Sequence, residues 1–190
     1  MSNTDEEAKD NPVIGMIDEK TGEKNARATG KKGPGQGGEL DWLVQDMVEE
    51  LKSCGHTGGA NGHIILKSDN ENAIKALKEA VGKLLGGRVV PENPPKGESQ
   101  SNGRVEGAGK TIRGFVRVMK DQVEAEAGVK LEGKDNIVQW LVRWGAMVPS
   151  RFLVGKDGKT AFERSRGRPC NTPTDKFGEK VWYKELTTKS

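Results

Sequence analysis

Short apolar runs alternate with amphipathic segments along this 190-residue chain, and this alternation is the feature that most constrains its fold. Strand patterns are predicted at Pro12–Ile17, Glu23–Thr29, His63–Lys67, Arg88–Pro91 and Phe177–Leu186. Helical patterns are predicted at Glu39–Cys54, Asn72–Leu85, Ser101 to about Ala127, Ile137–Leu153 and Lys159–Arg166. The first two strands form a hairpin, and the whole order predicts an α/β fold with a mixed sheet flanked by helices.

The predicted helices each place a row of apolar side chains toward the core. In the second helix this row ends at Leu84, and in the fourth it begins at Trp140 and continues through Leu141 and Trp144. Residues 1–11 are acidic and lack any period, so they are expected to be disordered. A domain is expected over residues 12–154, followed by a C-terminal extension over 155–190 with a short helix and a terminal strand.

The charges of the chain are unevenly distributed, although the formal net charge of +3 does not by itself identify a nucleic-acid-binding protein. Residues 151–170 contain two acidic side chains and six basic ones, which predicts a basic patch. The cysteines, Cys54 and Cys170, are far apart, as is usual in a reduced intracellular protein. Cys54 and His56 lack a second ligand pair, so no zinc site is expected. No membrane span or signal peptide is indicated.

The long segment after Ser101 places two kinds of side chain on two sides of one helix. The apolar side carries Val105, Ile112, Phe115, Val116, Met119 and Val123. The other side carries one carboxylate followed by four cations: Glu106, Lys110, Arg113, Arg117 and Lys120. Such a face suits contact with a polyanion, with the carboxylate holding a metal ion. The alternative is an ordinary amphipathic helix with Glu106 and Lys110 as an i,i+4 ion pair, and spacing alone favours this alternative.

A second carboxylate decides between these interpretations. Asp69 follows a predicted strand, Glu106 lies in the first turn of a later helix, and 36 residues separate them. In α/β folds, side chains at such positions meet at one edge of the sheet. Two carboxylates suit Mg²⁺ or Mn²⁺, and a pair of these ions can assist phosphodiester displacement. The alternative role for Asp69 is to cap the helix that follows it.

These residues resemble a known family. Ser68-Asp69-Asn70-Glu71, the spacing to Glu106, and Gln-Ser-Asn-Gly-Arg-Val-Glu at 100–106 resemble the catalytic core of retroelement integrases, with its Asp/Asp/Glu triad. The second half of the chain resembles the copia-like retrotransposon branch at Arg151-Phe152, Gly158 to Glu163, Gly167-Arg168-Pro169 and Phe177-Gly178. The likeness covers about Pro12 to Leu186, so it makes residues 12–154 an integrase catalytic core-like domain.

The resemblance implies a ribonuclease-H-like fold that binds Mg²⁺ or Mn²⁺, with Asp69 as the second metal ligand and Glu106 as the third. The implied activity is DNA integration, the metal-dependent processing and joining of cDNA ends to target DNA. The implied nucleic-acid-binding residues are Gln100, Asn102, Lys110, Arg113, Arg117 and Lys120. A homo-oligomer and a nuclear location are further expectations.

The chain departs from the family at the first ligand. In the family, an aspartate lies on a strand before the hairpin, but residues 1–10 have no strand pattern. Asp18 lies in the predicted hairpin turn, and Asp5 and Asp10 have no strand to hold them. We therefore expect that the first strand and its aspartate are missing, that Met1 lies just inside a truncated reading frame, and that metal binding is weak.

Three functions stay open at this point. The first is an integrase core fragment whose catalytic activity is in doubt. The second is a non-catalytic nucleic-acid-binding remnant of a transposable element, which grips phosphates with the cationic helix face and Arg164–Arg168. The third is a protein-interaction module with incidental carboxylates, which would show no salt-sensitive DNA binding.

Overall fold

The computed structural model describes residues 12–29, 41–56, 62–68, 71–86, 88–92 and 103–182. The elements in these residues agree with the predicted ones to within about two residues, the usual uncertainty of helix and strand ends. The strands are β1 (Val13–Ile17), β2 (Lys24–Ala28), β3 (His63–Lys67) and β4 (Arg88–Glu92). The helices are α1 (Asp41–Ser53), α2 (Asn72–Leu85), α3 (Gly103–Ala127), α4 (Asn136–Phe152) and α5 (Ala161–Arg166).

The β1–β2 hairpin lies between two layers of helices. Its strands pair antiparallel, and successive side chains point to opposite faces. Ile14 and Met16 pack against an apolar cluster built from α1, α2 and β3. Ala26 and Ala28 belong to a second cluster with α3 and α4. The hairpin therefore joins the two halves of the core.

Strands β3 and β4 form a separate parallel pair. Ile64 and Val89 face α1 and α2. On the opposite face Ile65 is 58% exposed and Val90 is 48% exposed. Residues 63–67 form the predicted strand, but it is buried on one face only, because helices cover only one face of this pair among the described residues. The described strands therefore form two small sheets, one antiparallel and one parallel, flanked by helices, and the fold is α/β as predicted.

Small residues bring α3 and α4 close together. A side chain at Gly145 would place its Cβ 2.5 Å from Val116 Cγ2 and 3.2 Å from the carbonyl oxygen of Ile112. Ala146, which is 1% exposed, lies next to it on the buried face of α4. The helices can approach to this distance only because position 145 carries no side chain.

Some large side chains lie outside the core, contrary to the prediction. Trp140 is 58% exposed, Val105 is 43% exposed and Leu84 is 50% exposed. The buried face of α4 instead runs through Leu141, Val142, Gly145, Ala146, Pro149 and Ser150. Close helix packing selects small residues, so the bulky Trp140 is displaced to the rim. In α2 the last buried residue is Leu85.

The C-terminal segment contains the predicted short helix, α5, which begins with a capping box. The Thr160 side chain accepts a hydrogen bond from the amide of Glu163, and the Glu163 carboxylate accepts one from the amide of Thr160. Of the predicted strand at 177–186, Phe177 and Gly178 form a turn and residues 179–182 have no regular structure. Residues 183–186 lie outside the described part of the chain.

A buried cation ties β2 to α1. Arg27 is 8% exposed, and its Nε lies 2.7 Å from Asp46 Oδ2 while its NH2 lies 2.8 Å from Glu50 Oε1. Arg27 also donates to the carbonyl oxygen of Ala26 at 2.9 Å. Removing one partner would leave a buried charge without compensation, which is strongly destabilising. The Arg27 contact therefore holds β2 of the hairpin against α1.

We predict that Gly145→Ala destabilises the protein by about 1–3 kcal/mol, because the added methyl group overpacks the α3–α4 contact. Gly114→Ala is the matched control, since a Cβ on that exposed face of α3 meets nothing within 4 Å. The control should stabilise the protein by roughly 0.5–1 kcal/mol through helix propensity. Urea denaturation of both variants checks the prediction, and equal effects would contradict it.

Candidate functional site

Glu106 lies in the first turn of α3 and is exposed. Arg104, two residues earlier, donates a 2.8 Å hydrogen bond from NH1 to the carbonyl oxygen of Glu19 in the β1–β2 turn. This bond ties the first turn of α3 to the hairpin. Glu106 and Lys110 are both described and form no ion pair, so the i,i+4 pair of the ordinary amphipathic interpretation does not form.

The second predicted ligand, Asp69, lies outside the described residues, and so do Gln100 and Asn102. Strand β3 does end at Lys67, so Asp69 follows a strand end as predicted. The approach of Asp69 to Glu106 remains a prediction. Among the described residues, no group of three or more His, Cys, Asp or Glu side chains could hold a metal ion.

The cations of α3 form a row of exposed side chains. Lys110, Arg113 and Arg117 are exposed, and none of them forms an ion pair with another described residue. The Arg113 guanidinium lies over Gly109, 3.6 Å from where a Cβ at that glycine would be. Lys120 differs, because its Nζ lies 3.8 Å from the carboxylate of Glu124. Three of the four predicted cations therefore keep their charge available to a ligand.

Asp18 performs a structural role in the hairpin turn. Its Oδ1 accepts a hydrogen bond from the amide of Lys20, and its Oδ2 accepts bonds from the amide and the hydroxyl of Thr21. Burial alone would raise the pKa of Asp18, but the hydrogen bonds from Thr21 and Lys20, together with nearby His56, outweigh burial and hold the pKa below its ordinary value. A carboxylate engaged in this way is a poor candidate for a missing metal ligand.

Cys54 and His56 also contact the hairpin. The Cys54 thiol donates to Glu23 Oε2 at 3.5 Å, and His56 Nε2 lies 3.8 Å from Asp18 Oδ1. Burial, with the negative charge of Glu23, raises the pKa of Cys54 to about 12. The Cys54 thiol therefore stays protonated and serves as a hydrogen-bond donor to the hairpin.

Two of the six basic side chains at 151–170, Arg164 and Arg166, hold the fold together. Arg164 pairs with Asp157, donates to the carbonyl oxygen of Lys159 at 2.9 Å and donates to that of Thr21 at 3.0 Å. Arg166 NH2 lies 3.6 Å from Glu23 Oε1, and its guanidinium stacks on Phe162. These two arginines hold α5 against the hairpin. Their charges are therefore engaged within the fold, which argues against the interpretation that the Arg164–Arg168 cluster binds phosphates.

Sequence reasoning missed one buried cation near the expected metal-binding edge. Lys78 on α2 is 6% exposed, and its Nζ lies at the carboxyl ends of β3 and β4. Its spacing from Ile74 and Val81 places it on the apolar face of the helix, and this signal could have identified it.

The architecture resembles solved integrase structures. One chain of the simian T-cell lymphotropic virus intasome, determined by cryo-electron microscopy in complex with PP2A regulatory subunit B56 gamma, matches 94% of this chain with a TM-score of 0.57 and 12% identity. This chain spans about half, 54%, of that one. The crystal structure of the catalytic core domain of BIV integrase matches 80% of this chain and 84% of its own, with a TM-score of 0.52 and 14% identity.

No protein-family model and no curated protein matches the chain. The structural likeness nevertheless shows the fold, which is the ribonuclease-H-like fold of integrase catalytic cores. The fold predicted from the sequence is thus confirmed, whereas the copia-like branch remains a prediction. No helix in the described residues is long and apolar enough to cross a membrane.

We predict that the contribution of Asp18 to stability is lost in acid. Its pKa in the folded protein lies below the ordinary value of 3.8, so the stabilisation is complete above that value and disappears as the pH falls through the folded-state pKa. Asp18→Asn should therefore lower the free energy of unfolding at about pH 6, and the difference should shrink toward about pH 3. Urea denaturation at both pH values measures it, and a difference that grows in acid would contradict the prediction.

Asp121→Asn is the control for this measurement. Asp121 is exposed on α3 and accepts no hydrogen bond from another described residue. Its substitution should change the free energy of unfolding little at either pH.

Proposed function

We propose that this chain is an integrase catalytic core-like protein of a copia-like retrotransposon, and that it binds DNA through a cationic face on α3. The cationic face is defined by Lys110, Arg113, Arg117 and Lys120. The observation that carries the proposal is that Lys110, Arg113 and Arg117 are exposed and have no ion-pair partner among the described residues. The integrase-like fold supports the choice of DNA as the ligand.

The dimensions of the cationic face suit a nucleic-acid backbone. From Lys110 to Lys120 the helix advances by roughly 15 Å, at 1.5 Å per residue. A row of that length can reach two or three phosphates. Arginine and lysine contacts of this kind position a protein on the backbone without reading base sequence.

Asp69 and Glu106 are the residues that would hold Mg²⁺ or Mn²⁺. Carboxylate oxygens are the ligands that these ions prefer, and the exposed position of Glu106 in the first turn of α3 is compatible with that role. Bound ions would stabilise the attacking and leaving oxygens of a phosphodiester exchange. We propose that cleavage and joining stay at background, because Asp18 is engaged in its turn and none of the four described strands carries an aspartate.

The other partners follow from the same proposal. The DNA bound would be cDNA ends and target DNA, the chain would act as a homo-oligomer, and it would act in the nucleus. One of the similar structures is an intasome, which supports assembly as part of this proposal.

The second candidate is a nucleic-acid-binding remnant of a transposable element that binds no metal. It shares the cationic face with the first candidate and differs only at the carboxylates. Binding of Mn²⁺ by the unsubstituted chain, lost in Asp69→Asn and in Glu106→Gln, would separate the two.

We predict that Arg113→Ala combined with Arg117→Ala weakens DNA binding and flattens its salt dependence. Each neutralised phosphate adds close to one unit to the slope of log affinity against log salt, so the loss should be about two units. Fluorescence anisotropy with a short labelled duplex over a range of salt concentrations measures the slope.

Lys52→Ala combined with Lys83→Ala is the matched control. It removes the same charge from the last turns of α1 and α2, in the helix layer on the other side of the hairpin. The control should keep the original slope. An equal loss in both double variants would mean that only net charge matters, and the proposed face would be wrong.

We also predict that Asp69→Asn and Glu106→Gln leave DNA binding unchanged or make it tighter, because each removes a negative charge near phosphate. Strand-transfer assays with Mg²⁺ or Mn²⁺ should give background product for these variants and for the unsubstituted chain. Product from the unsubstituted chain would show that a third carboxylate is present, and the proposal of an inactive site would then fail.

A further inference from the structure

Lys78 is an unusual residue for the place it occupies. It lies on the face of α2 that packs against the β3–β4 pair, beside the buried residues Leu77 and Val81, and only 6% of it is exposed. Lysine is among the residue types that are almost never fully buried without a polar partner. A leucine or methionine would fill the same space without burying an ammonium group.

The ammonium group of Lys78 contacts the ends of two strands at once. Its Nζ lies 3.4 Å from the carbonyl oxygen of Leu66 and 3.4 Å from that of Glu92. Leu66 is the last but one residue of β3, and Glu92 is the last residue of β4. One side chain therefore bridges the carboxyl ends of this parallel pair.

A second contact joins the same strand ends from the outside. Lys67 Nζ lies 3.4 Å from Glu92 Oε1, and the two residues are register partners. That ion pair is largely exposed, so it is screened by water and contributes little. Lys78 itself is only 6% exposed, so its contacts are screened less than this ion pair.

Burial of the charge is costly, because it removes water from the ammonium group. Burial, with the nearby positive charge of Lys75, lowers the pKa of Lys78. The compensating interactions act at the carboxyl edge of a parallel strand pair, which in α/β folds is the edge where ligands bind. The charge of Lys78 therefore lies at the edge of the strand pair where a ligand is expected to bind.

We propose that Lys78 is a positioning residue that holds the carboxyl ends of β3 and β4 in fixed register. This inference rests on the proposed function, because Asp69 follows β3 by two residues. The bridge fixes the backbone from which that carboxylate departs. Lys78 acts through the backbone and contacts neither DNA nor metal.

The test compares Lys78→Met, which keeps the length of the side chain and removes its charge, with Lys78→Arg, which keeps the charge. Lys75→Met is the control, one turn earlier on the same helix. Amide hydrogen exchange is followed at the ends of β3 and β4, and Mn²⁺ affinity is followed by water-proton relaxation. DNA affinity is measured over a range of salt concentrations.

Lys78→Met should accelerate exchange at Leu66, Lys67 and Glu92 by about tenfold, through easier local opening, while α3 and α4 exchange as before. It should weaken Mn²⁺ binding several-fold and leave the salt slope of DNA binding unchanged. Lys78→Arg should keep exchange and Mn²⁺ affinity close to those of the unsubstituted chain. Lys75→Met should change neither quantity.

Unchanged exchange at the strand ends in Lys78→Met would overturn the proposal. A salt slope reduced by one would also overturn it, because Lys78 would then contact phosphate directly. If Lys78→Met does not fold, Lys78→Gln replaces it, because the amide of glutamine is uncharged but still polar. Normal exchange in that variant, together with normal Mn²⁺ affinity, overturns the proposal. If the unsubstituted chain binds no Mn²⁺, the metal part of the proposed function fails, whereas exchange at the strand ends still decides the role of Lys78.

Discussion

The rest of the structure depends on the contact of α4 with its two neighbours, the β1–β2 hairpin and α3. Gly145 lets α3 approach so closely that a Cβ at position 145 would collide with Val116. One turn later, Ser150 bonds the hairpin: its Oγ accepts from the amide of Lys24 at 2.8 Å and lies 3.2 Å from the carbonyl oxygen of the same residue. A single helix face therefore fixes both the position of α3 and that of the hairpin, and the cationic face of α3 is oriented by this contact.

The hairpin turn is the second organising point, because its backbone carbonyl groups accept hydrogen bonds from cations of three different elements. Arg104 at the start of α3 donates to Glu19, Arg164 of α5 donates to Thr21, and Lys24 of β2 donates to Gly22 at 3.0 Å. Carbonyl groups of a tight turn are obligatory acceptors, and charged donors bond them more strongly than neutral ones. Arg104 and Arg164, which reach the turn, therefore stabilise the fold. Lys110, Arg113 and Arg117 on α3 form no ion pair with another described residue and remain available to a ligand.

Two buried cations, Arg27 and Lys78, each join separate elements of the fold. Arg27 with Asp46 and Glu50 joins β2 to α1, and Lys78 joins α2 to two strand ends. Apolar side chains of similar size would cost less to bury. What the charges add is direction, because a hydrogen bond fixes the angle between two elements more narrowly than apolar packing does.

The sequence by itself determined the order and the bounds of the described helices and of the first four strands, because helix and strand periodicities are local properties and appear in any short window. It also determined that Lys110, Arg113 and Arg117 share a helix face, since 3.6 residues per turn fix that relation. Only the tertiary structure decided which cations are free, because Arg164 and Arg166 find their partners in the distant hairpin. It likewise decided that Trp140 lies at the rim while Lys78 is buried, because the approach of neighbouring elements, which no local pattern records, sets how much space each face of a helix has.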